Sequence, residues 1–183
     1  TALELFDGRL WAAGGGYMVG SVSDAYTVFD QNLEGDSAAI VKRIAFGAVQ
    51  SVSWMKGGVQ LLVGMANEEV AFNSSVNDDV LTPSNSRFRR NGSARGSAPI
   101  APELVDGIVY FVQRALKKII AIQGLSGEDV VTTDATLLHP DILSAGVKRI
   151  AYSAEPEPRL YVLLLDGTMR AYLFDKAENV AGW

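Results

Sequence analysis

Asp106-Gly107-Ile108-Val109-Tyr110-Phe111-Val112 sets the reading of this chain. An Asp-Gly pair supplies the positive φ angles of a tight hairpin turn, and five β-branched or aromatic residues follow it without a polar break. That is the composition of a strand buried on both faces. The arrangement recurs. Asp7-Gly8 precedes Arg9 to Ala13, Gly57-Gly58 precedes Val59 to Val63, and Asp166-Gly167 precedes Thr168 to Phe174. Lys118 to Ile122 and Leu160 to Leu165 are further runs of the same kind. The second glycines stand at 8, 58, 107 and 167, so the unit returns after 50, 49 and 60 residues. A hairpin unit returning every ~40–50 residues has the period of propeller blades. Such a unit cannot bury both of its faces alone and must stack on a neighbour. The expectation is an all-β chain of antiparallel hairpins and meanders in a β-propeller-like arrangement. About four blade-like units fill residues 1–183 as a single domain.

One short helix is expected near 133–143, with Thr133 and Asp134 as caps, an apolar Leu137-Leu138 pair, His139, and Pro140 as an interruption. Two polar stretches, Asn73 to Asn85 and Arg87 to Pro102, read as long connections. The aromatic residues beside the hairpins, Trp11, Trp54, Tyr110, Phe111 and Tyr172 among them, read as packing between sheets. Exposure on one common face would instead make them a stacking platform for sugars or bases. The chain opens at Thr1 inside a strand-like pattern and ends at Trp183 just after another, which reads as a piece of a longer polypeptide.

Composition narrows the chemistry. Of 183 residues, 48% are hydrophobic and 20% charged, a globular balance. The net charge of −5 argues against a nucleic-acid grip spread over the whole surface. The absence of cysteine removes disulfides, Cys-ligated zinc and thiol catalysis together. His139 is the single imidazole, so a site with two His ligands is excluded, and no Gly-x-Ser-x-Gly elbow accompanies it. Gly14-Gly15-Gly16 runs into Tyr17-Met18-Val19, a strand, where a phosphate loop needs a helix. Asp24, Asp30 and Asp36 recur every six residues, which is not the spacing of a calcium loop. Adjacent carboxylates such as Glu68-Glu69 point to opposite faces of a strand, poor geometry for a glycosidase pair. No catalytic residue, cofactor or metal ligand is assigned, and the chain is expected not to be an enzyme. No apolar run reaches the roughly 18–20 residues that cross a bilayer, so no membrane insertion by this segment is expected.

Charge is distributed unevenly. Residues 84–118 hold seven bases, Arg87, Arg89, Arg90, Arg95, Arg114, Lys117 and Lys118, against two acids, Glu103 and Asp106. A basic segment in an otherwise acidic chain can meet phosphate, or it can meet an acidic face of an adjacent copy. Contact with another subunit, or within the chain itself, is preferred to contact with DNA, since only Phe88 interleaves the arginines as an aromatic. Arg87, Arg89, Arg90 and Arg95 are the candidate interaction residues.

The stretch TPSNSRFRRNGSARGSAPIAPELVDGIVYFVQRALKKIIAI, residues 82–122, resembles the tail hub, or nozzle, proteins of short-tailed bacteriophages, of the tail-tubular-B and DNA-stabilisation type. The matching positions are Thr82-Pro83, an Arg-bearing strand at Arg87 to Arg90, Gly96-Ser97-Ala98, Pro99 with Pro102, Gly107, and Phe111-Val112-Gln113-Arg114. Leu137-Leu138-His139-Pro140, Ile150-Ala151-Tyr152, Glu155-Pro156, Leu165-Asp166-Gly167-Thr168 and the final Trp183 extend the similarity. Arg114-Ala115-Leu116-Lys117 departs from it, since relatives often carry Arg-Gly-Gly-Arg there. The resemblance implies a structural component of a phage or prophage virion tail, assembled in the bacterial host cytoplasm. It implies copies of the protein in a ring, commonly a hexamer, around the channel through which DNA passes transiently and without specificity. Portal and adaptor proteins and tail fibre or needle proteins are the other partners it implies, and no cofactor. The alternative function is a β-propeller-type binding module for peptide or carbohydrate, without catalysis.

Overall fold

The computed structural model describes residues 2–45, 51–75, 79–90, 94–123, 131–175, 178 and 180–183. These residues form four antiparallel sheets, each a four-stranded meander with its strands in chain order. The first blade-like sheet holds β1 (Ala2–Phe6), β2 (Arg9–Gly14), β3 (Tyr17–Gly20) and β4 (Ile40–Arg43). The second holds β5 (Val52–Gly57), β6 (Leu61–Met65), β7 (Glu69–Ser74) and β8 (Ser86–Arg90). The third holds β9 (Glu103–Val105), β10 (Ile108–Val112), β11 (Ile119–Gln123) and β12 (Val131–Asp134). The fourth holds β13 (Val147–Ser153), β14 (Arg159–Leu164), β15 (Met169–Asp175) and β16 (Val180–Gly182). The chain is therefore all-β and propeller-like, with four blades.

The turns obey the chemistry of their residues. Asp7-Gly8 and Asp106-Gly107 both have two successive positive φ angles, 50° and 66° in the first and 48° and 78° in the second. Such a turn matches the right-handed twist of the strands that it joins. Glycines 8, 58 and 107 all lie in the connection between the first and second strands of a blade. Gly167 does not: it joins β14 to β15, the second and third strands of the fourth blade. The equivalent first connection there is 154–158, which contains the cis Glu155–Pro156 bond. The long third interval of the sequence repeat is thus a change of turn, not a longer blade.

The blades bury their faces against one another in three apolar layers, and aromatic contacts cross each. Trp11 of the first blade meets Phe72 of the second edge-on, with centroids 5.0 Å apart. Trp54 of the second meets Phe111 of the third at 5.3 Å, and Tyr110 of the third meets Tyr172 of the fourth at 6.1 Å. Alternation along β10 divides its side chains, with Val109 and Phe111 toward the second blade and Ile108, Tyr110 and Val112 toward the fourth. This two-sided burial explains why its sequence carries no polar break. None of these layers joins the fourth blade to the first, so among the described residues the array is open.

The helix expected near 133–143 is absent. Thr133 and Asp134 belong to β12, and the residues that follow form successive turns. Leu137 N donates to Asp134 O, His139 N to Thr136 O and Ile142 N to His139 O, all three residues back. The Asp134 carboxylate accepts from Thr136 N at 2.9 Å and from Thr136 Oγ1, which closes a local turn in competition with a helix. Pro140, lacking an N–H, prevents a helical ladder from passing through it. The expected connection from Arg87 to Pro102 is also corrected, because its first four residues complete β8.

Candidate interaction surface

The basic segment begins on the rim. β5 and β9, the first strands of their blades, lie nearest the middle of the array, and β8 is the last strand of the second blade. β8 pairs only with β7, through Phe72↔Phe88 and Ala71↔Arg89, so its other edge is unpaired within the sheet. Phe88 stacks on Phe72 at 4.9 Å and leans into the first interblade layer. Strand alternation then puts Arg87 and Arg89 on the opposite side, the side of the third blade, while Arg90 shares the side of Phe88. Arg87 Nη2 donates to Ser75 O at 3.3 Å, Arg89 is exposed, and Arg90 Nε pairs with Glu68 at 3.5 Å. Arg95 lies beyond the strand and its carbonyl accepts from Gln113 Nε2 at 3.1 Å. The four arginines therefore spread along one rim and do not converge on a point.

What the segment does within the chain is plainer. Gly96-Ser97-Ala98 is a strap that ties the second blade to the third. Ser97 N donates to Met65 O at 2.8 Å, Ala98 N to Val112 O at 2.9 Å and Arg114 N to Gly96 O at 3.0 Å. Gly96 has φ +72°, and a Cβ there would stand 2.5 Å from Ala66 O, so no larger residue fits without movement of the backbone. Ser97 Oγ donates to the buried Glu69 carboxylate at 2.9 Å, and Ser53 Oγ donates to Ser97 O at 3.0 Å. Arg114 Nη1 reaches back to Asn67 Oδ1 at 2.7 Å. Glu68 and Glu69 do point to opposite faces, one to Arg90 and one to Ser97.

Upstream, Thr82 and Asn85 close a reciprocal turn that delivers the chain into β8. Thr82 N donates to Asn85 Oδ1 at 2.8 Å and Asn85 N to Thr82 Oγ1 at 3.2 Å. Arg87, Arg89 and Arg90 on β8 and Arg95 just before the strap are all exposed.

The remaining candidates of the sequence fall elsewhere. His139 is exposed on a surface turn. A shallow cavity of about 230 Å³ lies between β1, β5 and the approach to β9, lined by Leu3, Glu4, Ser53, Trp54, Lys56 and Pro102. Glu4 is occupied there, since its Oε1 accepts from Gly57 N at 2.9 Å. Among the described residues no three His, Asp or Glu side chains gather as a metal site. Two groups were not legible as important from sequence. Glu69 is one, and Arg9 is the other: its buried guanidinium donates to Ser21 O at 2.6 Å, Ala38 O at 2.7 Å and Asp36 O at 2.8 Å. Burial pushes the Arg9 guanidinium below its usual range, against the opposing pull of Asp7 and Asp24.

No protein-family model matches this chain, and comparison with curated proteins finds no significant match.

Proposed function

We propose that this chain is a wall module of the tail hub, or nozzle, of a short-tailed bacteriophage or prophage, a structural protein that works by packing against other β domains. The observation that supports it most is the build of the 82–114 block, which carries the resemblance to that family. Its glycine, serine and arginine positions form an interblade strap with a basic outer rim. The described arginines of that block spread along a rim and do not converge on one point.

In this reading the ring encloses the path of the genome. A net charge of −5 suits such a wall, since a strongly basic lining would hold DNA and slow its exit. Arg87, Arg89, Arg90 and Arg95 then serve contacts between proteins. The test is the intact gene product, purified and measured by light scattering and negative-stain microscopy. Rings of defined mass are expected. Replacing the four arginines with alanine should abolish or weaken the rings while the far-ultraviolet spectrum of the protein stays unchanged. A protein that remains monomeric at all concentrations and binds a peptide or sugar would contradict the proposal.

A further inference from the structure

Each blade is an antiparallel meander, so its first and third connections lie at one end of the array, and its second connection and the crossover to the next blade lie at the other. Contacts between blades keep these ends in common. At the hairpin end, Gly57 N donates to Glu4 Oε1 and Leu81 N to Asp7 Oδ2. At the crossover end, Ser97 N donates to Met65 O and Leu165 N to Gly146 O. Charge divides between the two ends. The described residues of the hairpin-end connections carry Asp7, Asp24, Asp30, Glu34, Asp79 and Asp106 among their acids and no base. Arg9 Nη2 donates to Asp36 O and to Leu81 O, which sets the acidic connection of the first blade beside that of the second. The bases at the adjoining strand ends are the buried Arg9, Lys56, Arg87 and Arg159, the last paired with Glu157. The crossover end is the reverse. Arg43, Arg95, Arg114, Lys117, Lys148 and Arg149 are exposed there. Arg95 precedes Gly96, whose carbonyl accepts from Arg114 N, and Lys117 follows Leu116, whose carbonyl accepts from Val147 N. The bases of the second, third and fourth blades therefore form one belt. Of the described acids at that end, Glu68 and Asp134 pair with Arg90 and Lys118, and Glu103, Asp141 and Asp166 are the others. Both ends also expose large apolar side chains: Tyr26, Phe29 and Leu33 at the first, and Leu137 and Leu138, 71% and 85% exposed, at the second.

We propose that copies of this chain associate end to end, the basic crossover end of one seated on the acidic hairpin end of the next. A strand of five residues such as β10 is about 17 Å long, more than the screening length of about 8 Å at physiological salt. The two ends of one copy therefore do not neutralise each other, and each finds its complement on another copy. The exposed apolar residues favour a protein partner over a nucleic acid. Leu137 and Leu138 beside the bases have no use for phosphate, whereas the opposing end offers Tyr26, Phe29 and Leu33. The contact joins unlike surfaces, so it closes a ring or runs on as a filament. It rests on the function proposed above in taking copies of this chain as partners, and it deepens that reading by naming the two surfaces that a ring would join.

The 183-residue chain tests it. Light scattering at low salt should give a mass above the 19.6 kDa of one chain, rising with concentration. At about 1 M salt, where the screening length falls to about 3 Å, the mass should return to that of one chain. The triple variant Arg95→Glu, Lys117→Glu, Lys148→Glu should stay at the mass of one chain at low salt. The absence of cysteine allows a test of orientation that leaves the charges unchanged. Gln31 and Ala115 are exposed at opposite ends. Gln31→Cys and Ala115→Cys proteins, mixed and treated with a short bismaleimide, should cross-link to each other, and neither should cross-link when treated by itself. A wild-type chain that is monomeric at low salt, cross-linking of like ends, or a monomer that binds a short DNA duplex in place of a second copy would overturn the inference. Such a failure removes this contact alone, since the tail-hub reading is judged on rings of the intact gene product and on purified particles.

Discussion

The indole of Trp54 lies directly over Gly64, its partner across the β5–β6 ladder, so that a Cβ on Gly64 would stand 2.1 Å from the ring. The first blade repeats the relationship: Trp11 covers Gly20, its partner between β2 and β3, where a Cβ would stand 2.8 Å from the ring. In both blades a glycine lets a tryptophan lie flat on its own sheet and still reach an aromatic ring of the next blade.

Gly64→Ala should therefore destabilise the fold by about 1–3 kcal/mol, the usual cost of overpacking a filled core. Gly20→Ala should act in the same direction. Gly182→Ala meets nothing within 4 Å and should be close to neutral. Urea denaturation followed by tryptophan fluorescence separates the three.

Arg9 holds the long connection between β3 and β4 to the first blade through the carbonyls of Ser21, Asp36 and Ala38. Arg9→Leu should cost roughly 2–4 kcal/mol, because buried carbonyls that lose a donor cost about 1–3 kcal/mol each. Limited proteolysis should then cut within 21–37 first. Arg9→Lys should not restore stability, since one ammonium cannot span the three acceptors of a planar guanidinium.

The Asp134 carboxylate gives a pH test. Burial alone would raise its pKa, but hydrogen bonds from Lys118 Nζ, at 2.6 Å, and from Thr136 hold it below the usual carboxylate range. A carboxylate whose pKa is lowered by folding stabilises the fold above its unfolded value, about 3.9. That contribution is lost as pH falls through the lower folded value. Asp134→Asn should be less stable than the wild type by a constant margin above about pH 5, and the margin should shrink below about pH 4. Denaturation midpoints across this range measure it.

β8 is a rim strand whose outer edge carries Arg87 and Arg89. Charged side chains on such an edge discourage pairing with strands of other molecules. Arg87→Thr with Arg89→Thr should change the folding free energy by less than about 0.5 kcal/mol, as exposed substitutions do. Light scattering on warming should nevertheless rise earlier than in the wild type. Unchanged aggregation would show that the arginines have no protective role.

Much of the fold is legible in the residues because turn chemistry and strand composition agree at β2 and β10, each an apolar-rich run that follows an Asp-Gly pair with positive φ. The places where reading fails have local causes. Gly167 looks like Gly107 in sequence, and only the pairing of β14 with β15 reveals that it serves a different turn. Thr133, Asp134 and Leu137 present the composition of a capped helix, but Asp134 spends its side chain on Thr136 and Pro140 blocks the ladder. β8 hides among arginines, its single apolar signal being Phe88. Arg9 and Glu69 look like surface charges, because burial of a charge depends on partners far along the chain, Ala38 for one and Ser97 for the other.

The central claim is that this chain is built into a phage tail, and mass spectrometry of purified particles tests it most directly. Trypsin should release the peptide Gly96 to Arg114, which spans the strap and β10. The account predicts this peptide in tail-bearing particles released from cells that carry the gene, at a copy number that is a fixed multiple per tail. Particles with complete tails that lack it, while the soluble lysate contains it, would contradict the account.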